Sequence, residues 1–220
     1  MRLLLVRHGE TLGNVERRLQ GADDPLTERG RRQAREISAH LSRRTDIVAL
    51  YTSPFVRALE TAQSIGEALR LKPLSRDGLA EVDVGRASGY RFEEWAEQFP
   101  EEAEKFQTQG MDYAWPEGES GHDVSARSAA ELDRILAEHR EASDAVVVVS
   151  HGGTLAWIIS HLLGEPGDEW PHEHMRLENC SITEADVPKD GPATFLYTNE
   201  IGHLSPSPDA EVATGDEEIA

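Results

Sequence analysis

The sequence predicts an α/β fold, with a mainly parallel central sheet covered by helices on both faces. Three observations predict it. Residues 3–6, 47–51 and 146–149 are short apolar runs of the length and composition of buried strands. Amphipathic segments of helical period separate them, as crossover connections between parallel strands require. Two of the runs end in His-Gly, at Arg7-His8-Gly9 and at Ser150-His151-Gly152-Gly153. Ligand sites in open α/β sheets lie at such carboxyl ends of strands.

In chain order, residues 3–6 form the first strand. Thr27-Glu28 opens a polar-faced helix to about Leu41, with Ile37 and Leu41 at helical spacing. Residues 47–51 form the next strand. Thr52-Ser53-Pro54 then supplies a hydroxyl and a proline, which predict a helix start and a helix to about Leu71. Residues 125–139 form an amphipathic helix, with Leu132, Ile135 and Leu136 on one face, feeding the strand at 146–149. An apolar, helix-like segment follows at 154–163. Residues 180–184 and 194–198 read as two more strands around the turn-rich Pro188-Lys189-Asp190-Gly191-Pro192, placed as an edge hairpin. Residues 205–220 form an acidic tail too polar to bury a core, and disorder is expected there.

At 220 residues the chain fits one domain with a sizeable core. A formal net charge of −19, from 22 Lys+Arg against 41 Asp+Glu, opposes attraction of polyanions by any broad surface field. No nucleic acid and no membrane partner is expected, although the same acidity also serves solubility alone. Cys180, the single cysteine, excludes an intrachain disulfide. The apolar run after Met1-Arg2 is too short for a signal-peptide core and no later run reaches the length of a membrane span, so a soluble cytoplasmic protein is expected.

Arg7 and His8 together suggest phosphate chemistry. A neutral imidazole nitrogen attacks phosphorus and holds the phosphoryl group covalently, dividing one hydrolysis into two easier steps. An adjacent guanidinium matches the phosphoryl oxygens with its planar fork. Arg57, on the first turn of the helix after the second strand, reaches the same crevice, where free helix N–H groups also favour an anion. Arg-His-Gly alone is a weak signal, since a strand-end histidine satisfied by a backbone carbonyl is the plain alternative.

Taken with Asp24-Pro25-Leu26-Thr27-Glu28-Arg29-Gly30 and Thr52-Ser53-Pro54-Phe55-Val56-Arg57-Ala58-Leu59-Glu60-Thr61-Ala62, the two His-Gly motifs make the chain resemble the histidine phosphatase superfamily. That family includes cofactor-dependent phosphoglycerate mutases and many small-molecule phosphatases. The resemblance covers residues 1–204 and implies a three-layer α/β/α sandwich, phosphoglycerate mutase-like, with a short helical lid at about 90–122. It implies His8 as nucleophile, Arg7 and Arg57 around the phosphoryl group, and Asn14, Gln20 and Gly21 as phosphate or substrate contacts. Glu81, in Leu79-Ala80-Glu81-Val82-Asp83-Val84-Gly85, matches the carboxyl group that serves first as acid and then as base. Asp83, its local competitor, reads as a turn or orienting residue. His151 is implied as a cationic phosphoryl ligand, with Gly152 letting the backbone approach. No cofactor and no metal is implied, and His172, His174 and Cys180 match no standard zinc spacing. The other histidines, His40, His122, His139, His161 and His203, read as surface, cap or packing residues.

The mutases of the family carry a long insertion rich in lysine and arginine. Here the corresponding region offers Arg91 and Lys105 among Glu93, Glu94, Glu97, Glu101, Glu102 and Glu104. A short acidic lid repels a bisphosphate and admits water. Its Trp95, Phe99, Phe106, Tyr113 and Trp115 serve either as a wall for the leaving group or as the lid's own core, and Glu119-Ser120 borders the pocket. The expected function is hydrolysis of a small phosphorylated substrate by a monomer or homodimer. The alternatives are a phosphoglycerate mutase and a non-catalytic phospholigand-binding module.

Overall fold

Strand β1 (Arg2–Arg7) lies beside β4 (Ala145–Ser150), and each leucine or valine between their ends is buried. The computed structural model describes residues 1–139, 144–167, 169–171, 174, 176–189 and 191–206. Its six-stranded sheet also contains β2 (Ile47–Thr52), β3 (Leu74–Ser75), β5 (Ile182–Asp186) and β6 (Thr194–Glu200), in the order β3-β2-β4-β1-β5-β6. The first four in that order run parallel, while β5 and β6 form the expected antiparallel hairpin at the edge.

Alternation along the strands builds two cores. Leu3, Leu5, Val146 and Val148 face α6 (Gly121–Glu138) and α7 (Gly152–Leu163), packing with Leu132, Ile135, Leu155 and Ile158. Leu4, Val6, Val147 and Val149 face α2 (Glu28–Leu41) and α3 (Val56–Leu69), packing with Ile37, Leu41, Ala62 and Ile65. A sheet with apolar residues on both faces must be covered on both. The result is the three-layer sandwich predicted.

The departures lie at element ends. Helix α3 starts at Val56, with no side-chain cap, because the Ser53 hydroxyl is used by the Phe55 N–H and by His151. Helix α6 starts at Gly121, four residues before the predicted start, because Ser120 and Asp123 cap it reciprocally. Strand β5 starts at Ile182, since Cys180 is in the left-handed region at φ 57° and gives its N–H to the Arg7 carbonyl. Short β3 and the single-turn α1 (Leu12–Glu16) had no periodicity to announce them. The lid contains α4 (Phe92–Gln98) and α5 (Pro100–Gln109). Trp95, Tyr113 and Trp115, with Phe106 against them, form its own core, whereas Phe99 is exposed. Residues 207–220 of the tail, Asp190 of the turn and His172 lie outside the described residues. No helix among the described residues is long and apolar enough to cross a membrane.

Candidate active site

Parallel register makes the site. Arg7 pairs with Ser150 across β1 and β4, so His8 and His151 leave the sheet side by side, their ring centroids 5.0 Å apart. Ser53 leaves β2 at the same level, its N–H on the Val149 carbonyl at 3.0 Å. The two imidazoles and one hydroxyl meet although up to 143 positions separate them in the sequence, from 8 to 151.

Hydrogen bonds fix both tautomers. His8 Nδ1–H donates to the Gly9 carbonyl at 2.7 Å, which leaves Nε2 with its lone pair, accepting from Arg57 Nε at 3.2 Å. The same Arg57 N–H reaches His151 Nδ1 at 3.1 Å, so His151 Nε2–H donates to Ser53 Oγ at 2.7 Å. Burial, then the Arg57 and Arg7 charges, hold His8 well below the ordinary imidazole value. Burial and Arg57 do the same to His151. A cationic His151 was expected from the resemblance; among the protein's own groups its pKa is instead held low, beside two arginines that already supply positive charge. It stands behind Arg57, fully buried, with both ring nitrogens engaged. The plain alternative for His8 holds for its Nδ1 alone, since the Nε2 lone pair meets Arg57 and no backbone carbonyl.

Arg7 is half-buried, and burial pulls its guanidinium pKa down, with Glu81 opposing. Its Nη1 donates to the Leu177 carbonyl, but its buried Nε has no partner among the described residues. A Cβ on Gly152 would stand 3.6 Å from that Nε, so glycine leaves its approach open. An orphaned buried donor is costly, and an anion satisfies it. Arg57, 1% exposed, has its Nη1 on the Gly21 carbonyl at 2.6 Å and its guanidinium over the Phe55 ring. Gly21 thus holds Arg57 and is not among the residues around the cavity.

Glu81 lies at the N-terminus of α7. Its carboxylate accepts from the Gly153 N–H, the Thr154 N–H and Thr154 Oγ1, each at 3.0 Å. A Cβ at Gly153 would come within 2.8 Å of Oε1, so this approach requires glycine. Asp83 faces away and accepts from the Gly85 N–H at 2.9 Å, the turn role expected of it. Arg7, His8, Arg57, Glu81, Asn14, Gln20 and Gly152 line one cavity of about 300 Å³. A larger groove of about 730 Å³ lies on the other side of Glu81, but neither His8 nor Arg7 reaches it, and its charges offset one another, as Arg76 with Glu131.

Several contributors went unread in the sequence. Arg127 of α6 donates to the carbonyls of Gly78, Ala80 and Glu81 at 3.1, 2.8 and 3.0 Å, and grips the Glu119 carboxylate with two further bonds of 2.8 Å. Glu119 is thereby a support for the Glu81 segment and borders the larger groove, while Ser120 is a helix cap. Asn179 donates to the His8 carbonyl at 3.0 Å and to Asn14 Oδ1 at 3.1 Å. The apolar wall of the cavity is made by Trp157 and Trp170 with neighbouring aliphatics, and by none of the five lid aromatics. The lid glutamates do not line the cavity either; Glu94 acts on it by binding Arg18 at 3.0 Å. His174 pairs with Glu165, and Cys180 is buried.

Neutral buried histidines make stability depend on pH. Their folded pKa lies below the unfolded 6.5, so the stabilisation is full above about pH 6.5 and is lost as pH falls towards the folded values. The urea midpoint is expected to fall between about pH 7 and about pH 5.5, and less so in a His8→Asn/His151→Asn double variant. Equal slopes for both proteins would contradict this assignment.

These features define a protein of the histidine phosphatase class. The chain belongs to the histidine phosphatase superfamily (branch 1), whose family model matches residues 3–200. It is 35% identical over 204 residues to the bifunctional protein Rv2228c of Mycobacterium tuberculosis, covering 92% of this chain and 55% of that protein. The chain therefore spans about half the length of the first curated relatives it matches. It is 34% identical over 187 residues to a probable phosphoglycerate mutase GpmB of Klebsiella pneumoniae, covering 84% and 85% of the two chains. Among solved structures, the mycobacterial glucosyl-3-phosphoglycerate phosphatase Rv2419c complexed with VO3 superposes with a TM-score of 0.74 at 28% identity, covering 90% and 98%.

Proposed function

We propose that the protein is a metal-independent phosphomonoesterase that acts on a small phosphorylated metabolite through a phosphohistidine at His8. The observation that carries this reading is a buried His8, its pKa held low, with its Nε2 lone pair at the end of a cavity where the Arg7 Nε lacks a partner among the described residues. Nε2 attacks phosphorus, the ester P–O bond breaks, and the departing oxygen takes a proton from Glu81. Glu81 then takes a proton from water as the water oxygen attacks phosphorus, the P–N bond breaks, and orthophosphate leaves with His8 neutral again. Arg7 and Arg57 hold the oxygens on which charge gathers, worth about 3–4 kcal/mol for one well-placed donor.

The vanadate complex of a structural relative supports the same chemistry, vanadate being a mimic of pentacoordinate phosphorus. A phosphoglycerate mutase remains the second reading, favoured by the name of the Klebsiella relative. Against it stands Arg18, the cation on the cavity rim that a substrate carboxylate needs, which is already held by Glu16 at 2.6 Å and Glu94 at 3.0 Å. Incubation with 3-phosphoglycerate separates the two: release of orthophosphate is expected, and dominant conversion to 2-phosphoglycerate overturns the choice. Turnover is expected to persist in chelator and to be inhibited by vanadate. Binding of phosphoesters without any turnover would favour the non-catalytic module.

A further inference from the structure

Glu81 and Val82 are consecutive in the chain and line the same cavity. If Glu81 protonates the leaving oxygen, whatever that oxygen carries extends past the carboxyl group, onto the wall next to it. That wall is Leu19, Val82, Val84, Val124, Trp157 and Trp170. Helix α7 sets the two ends in order: Gly153, against the Glu81 carboxylate, and Trp157 are four residues apart and so share a helix face. Trp157 is 4% exposed, and its ring lies 5.8 Å from that of Trp170 at 43°, which makes an angled pair of aromatic faces. Met111 and Val124 form one buried cluster with Trp157, against which Trp170 packs.

We infer that the substrate is a phosphomonoester of an alcohol carrying a compact, apolar, ring-sized body, which lies between Trp157, Trp170 and the valines beside Glu81. This rests on the phosphatase reading above and gives that site its leaving group. The cavity of about 300 Å³ is at the small end for ligand pockets, with room for a phosphoryl group and a body of one or two rings. A carboxylate or second phosphate at the same place would meet apolar side chains, while Arg18 at the rim gives its Nε to Glu16 and its Nη1 to Glu94 and the Gly89 carbonyl. Burying an unpaired charge there is costly, whereas an aromatic ring gains area and stacking.

The test compares 2-phenylethyl phosphate with ethyl phosphate, two primary esters of similar leaving-group basicity, and adds 3-phosphoglycerate. The phenyl ring is expected to raise kcat/KM by at least about tenfold, and 3-phosphoglycerate to fall below both. In Trp170→Ser, and separately in Trp157→Leu, the phenylethyl-to-ethyl ratio is expected to drop towards one, each variant's ethyl phosphate rate being its own reference. A wild-type ratio near one, or a preference for 3-phosphoglycerate, overturns the inference and leaves the phosphatase intact. A ratio unchanged in both tryptophan variants overturns it as well. Hydrolysis of neither ester overturns the phosphatase reading and this one together.

Discussion

His8→Ala is expected to lower turnover of any phosphomonoester by a thousandfold or more, and to abolish labelling of the chain by radioactive substrate. Removing the nucleophile removes the two-step path, and the remaining arginines bind the anion without a group to accept phosphorus; loss of a nucleophile elsewhere costs on the order of a millionfold. On the wild-type protein the trapped phosphate is expected to be labile in acid and stable in base, as a phosphorus–nitrogen bond is and a serine ester is not. The obvious concern is folding, since His8 is 2% exposed. His8→Asn keeps a polar group beside the Gly9 carbonyl while lacking an imidazole Nε2, so it separates the two effects. Full turnover in either folded variant would remove the phosphohistidine from the mechanism.

The strands and the two His-Gly motifs were legible because they depend on local pattern: apolar runs at β1 and β4 followed by His-Gly, with Gly153 where the backbone closely approaches the Glu81 carboxylate. The two-faced core was legible for the same reason. Other parts of the site depend on register, which no single segment contains. Ser53 read as a helix cap because a hydroxyl before a proline is a helix signal; only its alignment with His151 across the sheet gives it another use. The lid aromatics drew attention by density, yet they satisfy one another, and the cavity wall came from Trp157 and Trp170, which no local pattern singles out. The resemblance implies a cationic His151, whereas burial and then the Arg57 charge lower its pKa among the protein's own groups, an environment that no single segment reveals. Arg127 carried no signal at all: its value lies in three carbonyls on a distant segment.

That arginine supports the second large effect. Arg127 holds the backbone on both sides of Glu81's carboxyl attachment, while Gly153 and Thr154 hold the carboxyl group itself. Glu81→Gln is expected to lower kcat/KM for an alkyl phosphate by about 100-fold to 10,000-fold, the range for a positioned general acid. For p-nitrophenyl phosphate, whose phenolate leaves without a proton, the loss is expected to be far smaller, because kcat/KM reports only the transfer to His8. Arg127→Met is expected to show the same imbalance at lower amplitude, with a stability cost of about 1–3 kcal/mol from its orphaned partners. Arg127→Lys keeps the charge but a single ammonium cannot span three carbonyls and a carboxylate, so it is expected to recover stability more than alkyl phosphate turnover. A purely structural role lowers both esters alike in all Arg127 variants, and that outcome would detach Arg127 from the acid. An equal loss on both esters in Glu81→Gln would detach Glu81 itself, leaving the leaving oxygen to find its proton elsewhere.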